Sequence, residues 1–214
     1  MSNYVENGVA SAAFVCTPEK KNIFLIGDSI RRGYCKTVRS ILEDHANVFF
    51  VEDNCRSTQY VICNIKHWAA LFSDPALVDL VHFNCGQWDV AHWSGHPLPL
   101  TSESEYAKNL QIIIDLLHQY FPSATLVFAT TSRMNPENAG GVNPRSNEEV
   151  DRYNEIAKAV MTENGIAVSD LNAFMKDFGS ELFTDLCHLT PEGFAKLGEF
   201  VAEKIETYPM GREI

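Results

Sequence analysis

The stretch Asn22-Ile23-Phe24-Leu25-Ile26-Gly27-Asp28-Ser29 decides the fold. Four consecutive apolar side chains, with no polar alternation, are closed by Gly27-Asp28. A short continuous apolar run bounded by turn residues predicts a strand covered on both faces, the condition of a parallel sheet. The period then changes. Ile30, Tyr34, Val38, Ile41 and Leu42 recur at helical spacing, so residues 30–44 read as an amphipathic helix. A strand running straight into a helix opens a β-α-β unit.

The same alternation continues along the chain. Val48–Val51 is a second strand, followed by the turn-like Glu52 to Ser57 and a helix over 58–72. Leu80–Phe83 is a third strand, ending in Asn84-Cys85-Gly86. Gly95, Pro97 and Pro99 make 90–100 a loop. Ser102 with Glu105 predicts a capping box for a helix over 103–120. Thr125–Ala129 is the fourth strand, and 133–145, with Pro136, Pro144 and Gly140-Gly141, is a long loop. Ser146 with Glu149 caps a helix over 148–163, 165–168 is a short fifth strand, and Thr190-Pro191 opens the last helix. Residues 1–20 read as an irregular arm and 21–214 as one domain. Five strands alternating with helices predict a three-layer α/β/α sandwich around a five-stranded parallel sheet.

Composition narrows the partners. The chain has 214 residues, with 17 Lys plus Arg against 28 Asp plus Glu, a formal charge of −11. Such a balance has no electrostatic footprint for nucleic acid or an anionic membrane. No apolar run approaches the ~20 residues of a membrane span. Met1 to Lys21 carries Glu6, no early basic residue and only a short apolar patch, a poor secretory signal, so a cytoplasmic location is expected. The six cysteines, at 16, 35, 55, 63, 85 and 187, form no C-x-x-C pair. They are expected to be reduced thiols that fill apolar space, not zinc ligands. His92 and His96 have helical metal spacing, but Gly95 and Pro97 forbid a helix there, and no metal site is expected. No phosphate loop or dinucleotide fingerprint occurs, so no cofactor is expected. Oligomeric state is not encoded in any visible pattern.

Ligands of open parallel sheets bind beyond the carboxyl ends of the strands. That places Gly27 to Ser29, Asn54 to Arg56, Asn84 to Gly86 and Thr130 to Asn135 on one rim. A serine at the head of a helix has its hydroxyl among free N–H groups that favour negative charge. It is equally a plain helix cap. Asp185-Leu186-Cys187-His188 precedes the last helix, and an Asp three residues before a His on a tight loop can orient the ring and stabilise its cation. Those two are equally a turn residue and a surface polar group.

Together, Gly27-Asp28-Ser29 after the first strand and Asp185-x-x-His188 before the last helix resemble the first and last sequence blocks of the SGNH (GDSL-type) hydrolases. Gly86-Gln87-Trp88-Asp89 sits where that family carries Gly-x-Asn-Asp, and Asn54-Cys55-Arg56 where it carries an oxyanion glycine. The resemblance spans 22–207 and implies a flavodoxin-like SGNH hydrolase fold and a serine esterase working through an acyl-enzyme. Carried over by position, it makes Ser29 the nucleophile, His188 the base and Asp185 the orienting carboxylate. No metal or other cofactor is implied. The oxyanion hole departs from the pattern, because Trp88 replaces the family's asparagine and the block-two glycine is missing. The Ser29 N–H, a backbone N–H of Cys55 or Arg56, and the Asn84 amide are the expected donors, with strand-end capping as the other role for Asn84. Arg31, Trp88, Asp89 and Arg133 are the candidate substrate-binding residues, with solvated arginines and loop packing as their plainer roles. The expected substrate is a small ester, an O-acetyl or O-acyl carbohydrate or another small polar ester. A lysophospholipase or thioesterase, and a non-catalytic carbohydrate-binding protein on the same fold, are the alternatives. The Gly-x-Ser-x-Gly elbow of the α/β-hydrolases does not occur.

Overall fold

A computed structural model describes residues 13–137 and 141–211. Five strands, β1 (Lys21–Ile26), β2 (Ala46–Phe50), β3 (Leu80–Phe83), β4 (Thr125–Ala129) and β5 (Ala167–Ser169), form one sheet in the order β2-β1-β3-β4-β5. Every pairing is parallel. The helices are α1 (Ser29–Leu42), α2 (Thr58–Ala69), α3 (Glu103–Tyr120), α4 (Asn147–Glu163), α5 (Leu171–Phe174) and α6 (Pro191–Thr207).

The apolar run of β1 is buried on both sides, as a central parallel strand requires. Phe24 and Ile26 join the core that packs against α2, α3 and α4. Ile23 and Leu25 join the core beneath α1, α5 and α6. Both predicted capping boxes form: the Ser102 hydroxyl meets the Glu105 N–H, the Ser146 hydroxyl meets the Glu149 N–H, and each glutamate reaches back to the cap. Asp28 caps α1, its Oδ1 accepting from the Ile30 N–H at 2.9 Å.

Several readings shift. The second strand runs from Ala46 to Phe50 instead of Val48 to Val51, and the first helix ends at Leu42 instead of 44. The predicted helix 58–72 stops at Ala69, because Leu71 to Ser73 turn to meet Phe14. Phe14 forms an isolated parallel bridge with Phe72 and stacks near Phe24 and Phe49, so this part of the N-terminal arm is tied to the core. Residues 1–12 of that arm lie outside the described residues. The fifth strand begins at Ala167, since Gly165 turns the chain at φ 66. Among the described residues no helix is long and apolar enough to cross a membrane.

The strand order reverses between β1 and β3, one strand continuing to β2 and the other to β4. The crevice at such a switch point is where this architecture binds ligands. It holds the turn after β1, the loop after β2 and the loop after β3.

Candidate active site

Ser29 is the first residue of α1 and is half-buried. Its backbone N–H has no partner among the described residues, as expected of a first-turn amide. His188 arrives from the segment before α6. Its Nε2 lies 2.8 Å from Ser29 Oγ across 159 residues of chain. Its Nδ1 lies 2.7 Å from Asp185 Oδ2. The other Asp185 oxygen, Oδ1, accepts from the backbone N–H groups of Cys187 and His188 at 2.9 and 2.8 Å. Both carboxylate oxygens are thus engaged, and the carboxylate is fixed relative to the ring by its own loop.

Charge follows from these contacts. The Cys187 sulfur, 4.0 Å from His188 Nδ1, and then the Asp185 carboxylate raise the imidazole to about 9, while burial opposes them. For Asp185, burial acts upward, but the two backbone donors and His188 outweigh it and hold the carboxyl below its usual range. Asp28 is buried with Oδ2 unpartnered, and burial raises its pKa against the Ile30 N–H, Arg145, Arg31 and His188. Asp28 is therefore flanked by His188 and by two guanidinium groups.

The remaining expected residues have different roles. The Cys55 N–H donates to Gly27 O at 3.2 Å, and the Arg56 N–H donates to Asn54 Oδ1 at 3.0 Å. Neither backbone donor is free to receive an oxyanion, which corrects that expectation. The cause is local: the loop after β2 docks on the turn after β1 through Cys55, and the Asn54 side chain closes a turn that puts Arg56 at φ 48. The Asn84 amide donates to Ala129 O at 2.8 Å, tying the end of β3 to the end of β4. One of its two amide hydrogens therefore makes the strand-end tie. Arg31 is buried, and its Nη2 donates to Asp53 O at 2.6 Å and Gly27 O at 3.3 Å. It clamps two loops and is not presented to a ligand. Asp89 is also fully buried, accepting from the Thr58 N–H and hydroxyl and from the Thr101 hydroxyl. Arg133 is turned to Asp151 and Asn172. Of the expected substrate-binding residues Trp88 lines a recess of about 550 Å³, which it shares with Arg56, Tyr60 and Trp93.

Arg145 went unread in the sequence. It is the last residue of the long loop before α4, and it donates from Nη1 to Gln87 O at 2.9 Å and from Nη2 to Cys187 Sγ at 3.5 Å. It thereby joins the loop after β3 to the Asp185–His188 segment. Asp185, Cys187 and His188 also bring three ligand-type atoms within 4.8 Å of one another. The Arg145 guanidinium against the sulfur disfavours a cation there, and His188 Nδ1 already faces Asp185.

Sequence and fold comparisons give the family and the fold. The model of the GDSL-like lipase/acylhydrolase family matches residues 25–196. The chain belongs to that family. This GDSL-like acylhydrolase also shares its fold with a lipase/acylhydrolase from Enterococcus faecalis, at a TM-score of 0.70 and 16% identity over 91% of this chain and 100% of the other. The acetyl xylan esterase AlAXEase aligns at TM-score 0.65 and 18% identity over 87% and 98% of the two chains. Est24, a carbohydrate acetylesterase from Sinorhizobium meliloti, aligns at 0.67 and 14% over 87% and 99%. Among curated proteins none matches the sequence. The family places the protein among esterases and acylhydrolases.

Proposed function

We propose that this GDSL-like acylhydrolase is a serine esterase in which Ser29 attacks the ester carbonyl, His188 moves the proton and Asp185 orients His188. The observation that carries the reading is the continuous Ser29–His188–Asp185 chain at 2.8 and 2.7 Å, standing at the head of α1 beyond the sheet. Neutral His188 accepts the Ser29 proton through Nε2 as Oγ bonds to the carbonyl carbon. The carbonyl oxygen takes up the electron pair and receives the unpartnered Ser29 N–H. Collapse expels the alcohol, which takes the proton from His188. Water, deprotonated by His188, then releases the acid and frees Ser29.

The substrate proposed is a short acyl ester, an O-acetyl group on a carbohydrate or similar polar alcohol. The acetyl xylan esterase and carbohydrate acetylesterase of the same fold support that choice, as does an aromatic recess bordered by an arginine. Occupation of the Cys55 and Arg56 donors favours a second reading, a non-catalytic binding protein on this fold. One experiment separates the two. Wild type is expected to be labelled by a fluorophosphonate at Ser29, with labelling lost in Ser29→Ala and turnover in His188→Ala down by ~10⁴-fold or more. Folded wild type that takes no label would overturn the esterase reading. On p-nitrophenyl esters from acetate to palmitate, activity is expected to fall with chain length; a maximum at long chains would instead identify a lipase-like enzyme.

A further inference from the structure

The recess beside the rim has a chemistry that the triad does not use. Trp88 and Trp93 stack with centroids 5.2 Å apart and planes inclined by 29°. Trp93 is 44% exposed and Leu100 45%, so an aromatic and apolar surface faces outward from this loop. Exposed apolar surface gathered in a concavity marks a binding site more often than scattered apolar residues do. At about 550 Å³ the recess holds one or two rings.

Arg56 sets what kind of ring. Its guanidinium carbon lies 4.9 Å from the centroid of Tyr60 and 5.8 Å from that of Trp88. Those contacts satisfy the face of the guanidinium and leave its donor edge. No carboxylate forms an ion pair with it among the described residues, in a chain that carries eleven more acidic than basic residues. The nearest acidic neighbour along the chain, Asp53, is bonded to the Tyr60 hydroxyl instead. An exposed, aromatic-backed arginine with its donor edge open is suited to a carboxylate or a similar anion. The loop that carries Arg56 is tied to the turn that carries Ser29. Cys55, the residue before Arg56, is hydrogen-bonded to Gly27, and Arg31 ties Gly27 O and Asp53 O together.

We infer that Arg56, Tyr60, Trp88 and Trp93 form a subsite for a ring bearing an anionic group. The ring lies on the tryptophan faces and its anion meets the Arg56 fork. Its membership of the ester substrate rests on the esterase reading; binding in the recess does not. The chemistry is shared by an acidic sugar and an aryl carboxylate, and the test separates them.

The test uses Ser29→Ala protein, so that binding is read without turnover. Glucuronate, benzoate and glucose are titrated by calorimetry and by tryptophan fluorescence, two of the three tryptophans being in the recess. Glucuronate or benzoate is expected to bind, and which of them binds assigns the ring as sugar or aryl. Glucose is expected to bind at least tenfold more weakly. Arg56→Gln should weaken the anion by ~10-fold, the usual cost of a charge-assisted contact, and 0.5 M salt should act in the same direction. Trp93→Ala should weaken it as well. No binding by either anion, equal binding of glucose, or indifference to Arg56→Gln would overturn the subsite. Loss of fluorophosphonate labelling in wild type would overturn the esterase reading and leave this result standing.

Discussion

In the proposed mechanism His188 is the base, while its surroundings favour its cation. The Cys187 sulfur and the Asp185 carboxylate both stabilise the protonated ring and raise it from 6.5 to about 9. Only the neutral ring can take the Ser29 proton, so kcat/KM should rise with pH and reach half its plateau near 9, not near 6.5. The sign of the stability effect is the reverse. Between 6.5 and about 9 the folded protein holds a proton that the unfolded chain releases. The stabilisation is complete below 6.5 and fades as pH rises through about 9. Cys187→Ala removes the first cause and should move the limb of the rate profile toward acid. A wild-type limb near 6.5, or a limb unmoved in Cys187→Ala, would contradict this electrostatic account. The proposed triad, Ser29, Asp185 and His188, could be singled out in sequence because each sits inside a short motif next to a recognisable element boundary. Arg145 could not. Its two contacts cross 58 and 42 residues, and nothing near Pro144-Arg145 marks it as more than a loop cation.

Elements of this fold are tied together at the site by polar groups that looked like ligand-binding groups in sequence. Asp89 faces the start of α2 and holds the Thr58 N–H, the Thr58 hydroxyl and the Thr101 hydroxyl together, with no exposure to solvent. Asp89→Ala strands the buried Thr58 N–H and leaves the Thr58 and Thr101 hydroxyls only their longer contacts to Gln59 Oε1, at 3.4 and 3.3 Å, so a loss of about 1–3 kcal/mol is expected in denaturant unfolding. Asp89→Asn keeps an acceptor oxygen and should lose less; a loss as large as that of the alanine variant would count against hydrogen bonding as the cause. Asn84 is the smaller case. Asn84→Ala removes one tie between β3 and β4 and should cost about 1 kcal/mol, with turnover per folded molecule unchanged. A ~10²-fold fall in kcat at normal stability would instead return Asn84 to the oxyanion hole. Elements bounded by local signals were readable to the residue, as the capping box of α3 and the apolar run of β3 show. The four-residue α5 was not, since one turn of helix has no periodicity to read.

At the scale of the whole molecule, the distance from Ser29 to His188 is set by how closely α1 packs on α6. Ser29 heads α1, and His188 stands three residues before α6 begins. The two helices approach closely at Gly198. A Cβ on Gly198 would lie 2.7 Å from Thr37 Cβ and 3.3 Å from Tyr34 O, neither of which is the free end of a flexible side chain. Gly198→Ala therefore has to separate the helices, an overpacking that typically costs about 1–3 kcal/mol. The same separation pulls the imidazole from the hydroxyl, and displacements of ~1 Å in such contacts cost up to ~10²-fold in rate. Gly198→Ala is expected to lower both the melting temperature and kcat, with KM changing less. Gly165→Ala is the matched control. It lies at φ 66 before β5, at the opposite end of the sheet from the site, with nothing within 4 Å of an added Cβ. Its penalty is backbone strain of about 1 kcal/mol, and its kcat should equal that of wild type. If the two variants lost stability alike and kept the same kcat, helix separation would not govern the Ser29–His188 contact. The reach of His188 would then be set by the Asp185–Cys187 loop and its tie to Arg145.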